Sequence, residues 1–319
     1  MTEIYNKVAL VGLGLIASSI SHAIRRGELA HEITGYSRSS ETREKARALG
    51  ICDKIYDNPK NAVKDADLVI LCVPVGAMSE VVKEISSELK IGSTLTDVGS
   101  TKRAVIDEVM PYVSDEVLFI PAHPIAGTEQ SGPEAGFAEL FDNRWCLLTP
   151  ENVKDHELVR LEKLKNLWSS LGANVELMDP DHHDLVLAVT SHAPHLIAYT
   201  MVGVADDLRR VTDSEVVKYS AAGFRDFTRI AASDPTMWRD VFLSNKEATL
   251  EILGRFTEEL FALQRAIRTG DGDLLHKYFT RTREIRRGVI EAGQDTDAPD
   301  FGRVKRSVSY THLTLPTKA

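Results

Sequence analysis

Three groups of residues in this chain have the types and spacing to do chemistry together. His123 opens the run His123-Pro124-Ile125-Ala126-Gly127-Thr128-Glu129-Gln130-Ser131-Gly132. An imidazole titrates near neutrality, at about 6.5, so it can take a proton from a hydroxyl at working pH. Upstream stands Gly12-Leu13-Gly14-Leu15-Ile16-Ala17. Gly12 permits a tight turn, Gly14 lets the backbone approach a pyrophosphate, and Ala17 lets the following helix sit close to the sheet. The N–H groups at that helix start attract phosphate. Downstream lie His192-Ala193-Pro194-His195 and the run 223–235, which carries Arg225 and Arg229. A planar guanidinium holds a carboxylate through two parallel hydrogen bonds, which an ammonium cannot do. A proton acceptor and a dinucleotide turn together predict hydride transfer from an alcohol to a nicotinamide.

The end of the second strand bears on the cofactor's ribose. It reads Gly35-Tyr36-Ser37-Arg38-Ser39-Ser40, with no carboxylate before Glu41. An acid at that place holds the 2′-hydroxyl of NAD and repels a 2′-phosphate. Ser37, Arg38 and Ser39 suit a phosphate instead, which favours NADP+ or dual use over NAD+ alone; the alternative is an Arg38 merely exposed on a loop. Val73 and Pro74 close a strand beside the same groove. Ser100, in Asp97-Val98-Gly99-Ser100-Thr101-Lys102, either caps the next helix or takes part in the chemistry.

The elements that must position these groups follow from hydrophobic periodicity. Short apolar runs at 7–11, 32–36, 68–73, 94–97 and 117–121 read as strands. Helical spacing fills 16–26, 41–49, 77–89 and 102–113. This alternation predicts parallel strands with crossover helices on both faces. Runs at 145–148 and 174–178, around a helix at 157–171, read as further strands, the sheet ending near Met178. Beyond Asp179-Pro180 the period is helical throughout 185–204, 237–243, 248–267 and 274–290. The expected fold is an α/β Rossmann-type doubly wound parallel sheet over 1–178, followed by an all-α dimerisation and substrate domain over 179–300. The apolar faces of that second domain exceed what one small bundle needs, so a homodimer is expected through it. Residues 301–319 fit neither domain and read as an extension foreign to the fold, or alternatively as an edge-pairing strand.

Composition narrows the partners. The net charge of -9 over 319 residues argues against nucleic acid, which needs a concentrated basic face. Substrate anions must therefore be met by local Arg or His residues. Three cysteines, Cys52, Cys72 and Cys146, suit buried thiols in a reducing compartment. The His182-His183-Asp184 run and the histidines after it lack the spacing of a metal-ligand trio. No secretory leader precedes the first strand, and no apolar run approaches the ~18 residues of a membrane span. A cytoplasmic protein without membrane contact is expected.

Taken in order, the glycine turn, Asp97–Lys102 as D-x-G-S-x-K, the His123 run, Ser191-His192-Ala193-Pro194-His195, and Phe224 through Trp238 resemble the prephenate/arogenate (cyclohexadienyl) dehydrogenase family, across residues 6 to about 295. The resemblance implies oxidative decarboxylation of a cyclohexadienol, giving 4-hydroxyphenylpyruvate or tyrosine, with hydride passing to NAD(P)+. It implies that His123 binds the ring C4 hydroxyl and accepts its proton, and that Ser100 orients His123 and touches the nicotinamide. His192 and Arg229 would bind substrate, Arg229 at the ring carboxylate, with Trp238 as an aromatic wall. Arg225, one helical turn from Arg229, either joins them or pairs with Asp226. Two rival readings stand beside this one. Another helical-dimer dehydrogenase, such as a 3-hydroxyacid dehydrogenase, would not need both histidine motifs. A non-catalytic NAD(P)-sensing dimer would have no use for a proton acceptor beside the nicotinamide.

Overall fold

The computed structural model describes residues 3–128, 130–212 and 222–291, so Glu129 and the 301–319 extension lie outside the described residues. The first half builds β1 (Tyr5–Val11), α1 (Leu15–Gly27), β2 (Ala30–Tyr36), α2 (Ser40–Ala48), β3 (Lys54–Tyr56), α3 (Pro59–Val63), β4 (Leu68–Leu71), α4 (Met78–Ile85), β5 (Thr94–Asp97), α5 (Arg103–Val109) and β6 (Leu118–Ile120). All six strands are parallel, in the order β3-β2-β1-β4-β5-β6. That is the doubly wound order, whose ligand crevice opens where the chain reverses direction between β1 and β4.

Alternation along each strand sends side chains to two separate cores. Val8, Leu10, Ile33 and Ile70 meet Ile20 and Ile24 of α1 on one face. Ala9, Val11, Val69 and Leu95 meet Val82, Val105 and Val109 of α4 and α5 on the other. The strand β3 and helix α3 were not legible from periodicity; each is too short to show a repeat.

One expectation needs correcting. The later strands do not extend the parallel sheet. β7 (Ala122–Pro124), β8 (Trp145–Leu148) and β9 (Asn174–Leu177), with α6 (Leu158–Ser170) between the last two, form a separate three-stranded sheet. Pro121 interrupts the line of β6, and the chain re-enters as β7 antiparallel to β8. His123, just beyond the expected strand at 117–121, therefore sits on a strand of its own.

The second half is helical: α7 (Pro180–Leu187), α8 (Ala193–Thr212), α9 (Ala222–Thr228), α10 (Pro235–Ser244), α11 (Lys246–Thr269) and α12 (Gly272–Glu291). Asp179 starts α7, its carboxylate accepting from the N–H of Asp181 and of His182 at 3.0 Å each. A wide π-type turn, Ala188–His192, joins α7 to α8. Pro194 explains it: proline cannot donate to the carbonyl one turn back, and the widened turn absorbs that break.

The resulting run Pro180–Asp207 spans 28 residues, and an 18-residue window within it reaches a mean hydropathy of 1.4, long and apolar enough by composition to cross a membrane. Sequence reading had expected no such stretch. Its inward side carries His183, Asp184 and His192, all buried in polar contacts, while Met201, Val202 and Val204 are exposed.

Candidate active site

The glycine turn behaves as its spacing requires. Gly12 has φ +99°, and a Cβ there would fall 2.6 Å from the carbonyl oxygen of Cys72. Gly14 begins α1 without a side-chain cap, and no acid stands in the first turn, which leaves its N–H groups to an anion. Leu13 and Ala17 are buried behind the turn, while Leu15 and Ile16 are half-buried at its edge. A Cβ at Gly14 would meet no atom within 4 Å, so the backbone there fits the approach of a pyrophosphate. The chain after His123 lies across the same helix. Phe137 N donates to Ser19 Oγ at 3.2 Å, and Glu134 pairs with Lys45 of α2 at 3.2 Å.

At the ribose end, Ser37 is half-buried and Arg38 exposed. The Ser39 hydroxyl accepts from Thr42 N at 3.3 Å and so caps α2. Arg43, which the sequence reading passed over, donates to the carbonyls of Ser37 and Arg38 at 2.6 and 2.9 Å and fixes this loop. Across the groove, β4 ends at Leu71, leaving Val73 and Pro74 in the connection to α4. Helix α10 closes against that connection: a Cβ at Gly76 would lie 3.2 Å from Asp240 Oδ2.

His123 is held from two sides. Its backbone neighbour Ala122 donates to Asp97 Oδ1 at 3.1 Å and accepts from Lys102 Nζ at 2.6 Å. Lys102 Nζ in turn meets Asp97 Oδ2 at 2.5 Å, both side chains being fully buried. The His123 ring, only 8% exposed, places Nδ1 2.9 Å from Nε2 of His183. His183 Nδ1 lies 2.8 Å from Asp184 Oδ1. The same carboxylate accepts from Lys102 N at 2.8 Å and Arg103 N at 2.9 Å. Helix α5 is therefore capped from α7, and not by Ser100, which lies half-buried in the preceding turn. Arg103 reinforces the joint through Asp181 at 2.7 Å and Glu151 at 3.0 Å.

His192 comes from the π-type turn and is 1% exposed. Its Nδ1 lies 3.1 Å from Nδ2 of Asn245, which also donates to the Asp184 carbonyl at 2.8 Å. Its Nε2 has no hydrogen-bond partner among the described residues. Trp238 of α10 is buried against both histidines: stacked on His195 at 3.7 Å between centroids, and edge-on to His192 at 6.1 Å. His195 Nδ1 is bonded to the Ser191 carbonyl at 2.8 Å, which fits a packing role. Arg229 opens the short turn Arg229–Ala232 after α9, and its charge reaches His195. Arg225 is 74% exposed and paired with Asp226 at 3.2 Å, so this chain does not bring it to the histidines.

The electrostatics favour neutral imidazoles. Burial holds His123 well below 6.5, helped by His183, Lys102 and His192 nearby. Burial likewise lowers His192 to about 4, and it lowers His183 against the opposing pull of Asp184. Burial pushes Asp184 upward, but its bonds from His183, Arg103 N and Lys102 N outweigh that and keep it ionised. Sequence reading noticed His183 and Asp184 only as weak metal candidates, and Lys102 only as a motif letter. Asn245 carried no local signal, since its role depends on two helices meeting.

Comparison with known proteins identifies the family. Residues 20–177 match the prephenate dehydrogenase nucleotide-binding domain, and 179–281 match the prephenate dehydrogenase dimerization domain. Cyclohexadienyl dehydrogenase of Zymomonas mobilis is 38% identical over 283 residues, covering 89% of this chain and 96% of the relative. Prephenate dehydrogenase of Bacillus subtilis is 34% identical, covering 94% and 83%. Prephenate dehydrogenase from Aquifex aeolicus, solved with hydroxyphenyl propionate and NAD+, superposes with TM-score 0.82 at 33% identity, over 89% of this chain and 98% of that one. The two domain matches and these relatives place the chain in the prephenate dehydrogenase family.

Proposed function

We propose that this chain oxidises prephenate or arogenate at the ring C4 alcohol, with loss of the ring carboxylate as carbon dioxide. The observation that carries this reading is the pair of buried, neutral imidazoles, His123 and His192, at the joint between the glycine turn and the helical domain. Bound NAD(P)+ supplies the hydride acceptor. Gly12 to Ala17 and the start of α1 hold its pyrophosphate, and Val73, Pro74 and Ser100 line its nicotinamide end.

His123 accepts the C4 hydroxyl proton, and Ser100 orients it. His192 donates to the substrate, and Arg229 holds the ring carboxylate by paired hydrogen bonds. Trp238 walls the ring side. Aromatisation drives the decarboxylation, so the protein chiefly has to orient the substrate and take the proton. Contact with the departing carboxylate must not favour the ground state, or rate is lost.

NADP+ or dual use is favoured over NAD+ alone, because Ser37 and Arg38 stand where no carboxylate does. The exposed Phe256, Leu260, Phe261 and Ile267 of α11, with Phe279 and Ile285 of α12, form the face through which a second copy pairs. Initial rates in a four-way grid test the reading: prephenate or arogenate, each with NAD+ or NADP+. Turnover in at least one cell supports it, and a stronger NADP+ column supports the ribose assignment. Four empty cells favour the NAD(P)-sensing dimer.

A further inference from the structure

Asp184 is bonded toward both imidazoles of the site, through His183 on one side and Asn245 on the other. Its carboxylate accepts two backbone N–H groups of α5, so it can only accept from His183 as well. The proton between them therefore resides on His183 Nδ1. A neutral His183 then offers a lone pair at Nε2, which requires the His123 Nδ1 to carry the hydrogen in their 2.9 Å contact. That leaves the His123 Nε2 as the bare acceptor.

The second arm runs through the backbone of the same residue. The Asp184 carbonyl can only accept, so it fixes which end of the Asn245 amide faces it, at 2.8 Å. The other N–H of that NH2 group points to His192 Nδ1 at 3.1 Å, which must then be an acceptor. His192 consequently carries its hydrogen on Nε2, the buried nitrogen that no group among the described residues satisfies.

We propose that Asp184 is a positioning residue that sets opposite tautomers on the two site imidazoles: through His183 it makes His123 a proton acceptor at Nε2, and through Asn245 it makes His192 a donor at Nε2. A substrate hydroxyl that gives its proton to one ring and receives a hydrogen bond from the other needs this asymmetry. Two rings in the same tautomer would present two donors or two acceptors. The low values of all three histidines follow from burial and keep the chain of bonds neutral. The inference deepens the proposed roles of His123 and His192 and rests on them for its meaning. The tautomers themselves are properties of the ligand-free protein.

The test is a nitrogen-15 long-range correlation spectrum of the full chain labelled at histidine, with His123→Asn and His192→Asn spectra for assignment. Hydrogen on Nδ1 of His123 and on Nε2 of His192 is expected. Hydrogen on Nε2 of His123, or on Nδ1 of His192, overturns the proposal even where turnover is intact. Variants at His183 give the kinetic readout. His183→Gln keeps an acceptor near the Nε2 position, whereas His183→Leu removes it. With a wrong His123 tautomer, kcat of His183→Leu should fall by roughly 10²-fold or more while substrate KM holds, and His183→Gln should recover part of it. Equal impairment of Gln and Leu variants with His123 still protonated at Nδ1 would show that His183 does not set the tautomer. If the spectrum matches but the four-way grid is empty, the tautomer assignment stands and the proposed reaction fails.

Discussion

Lys102 and Asp97 form a fully buried ion pair, 2.5 Å between Nζ and Oδ2, whose two ends grip the carbonyl and the N–H of Ala122. This grip seats β7, and with it the backbone of His123, against the end of the parallel sheet. Removing one partner leaves a buried charge with nothing to offset it. Lys102→Met should therefore cost about 3–5 kcal/mol, the usual penalty for a half-broken buried pair. Chemical denaturation of the variant checks this; a loss under about 1 kcal/mol would mean that water reaches Asp97 and the grip is loose.

Stability should also fall in mild acid. His123, His183 and His192 are all held below 6.5, mainly by burial, so the unfolded chain takes up protons there that the folded chain refuses. For His192, which Asp184, His183 and His195 face, that window runs from about 6.5 down to its folded value of about 4. This one ring is worth about 3 kcal/mol across it. Asp184, kept below its ordinary value, adds a further loss as pH drops through its own range. A Tm that declines steadily from pH 7 to pH 4.5 is expected. A flat profile would show that the three rings are solvated.

The parts of this site that were legible in the sequence are those that depend on local chain geometry. Gly12, Gly14 and Ala17 announce themselves by spacing because one turn must bend, admit a phosphate and let a helix close. The β–α alternation did the same for most of the sheet. His183, Asp184 and Asn245 could not be read this way. Asp184 meets α5 across some eighty residues of chain, and Asn245 meets Asp184 across sixty more. The second sheet was missed for a similar reason: β7 is three residues long and shows no period, so nothing separates it from the strand at 117–121.

Arg229→Ala should act on binding. Losing a paired guanidinium–carboxylate contact should raise the substrate KM by roughly 10- to 100-fold with a smaller change in kcat. Unchanged kinetics would move the carboxylate contact elsewhere, with Arg225 the next residue to test.

Gly12→Ala should abolish cofactor binding. The new Cβ would sit 2.6 Å from the Cys72 carbonyl at a backbone angle of +99° that alanine rarely adopts. Cofactor titration by fluorescence checks it; wild-type affinity would mean that the turn is more forgiving than its geometry shows.

The most direct test of the account is His123→Asn, measured for cofactor binding and for hydride transfer with the best substrate pair from the grid. The account predicts cofactor affinity within a few-fold of the original chain and turnover lowered by at least ~10²-fold, the scale of a lost general base. Turnover near that of the original chain would contradict it and remove His123 from the chemistry.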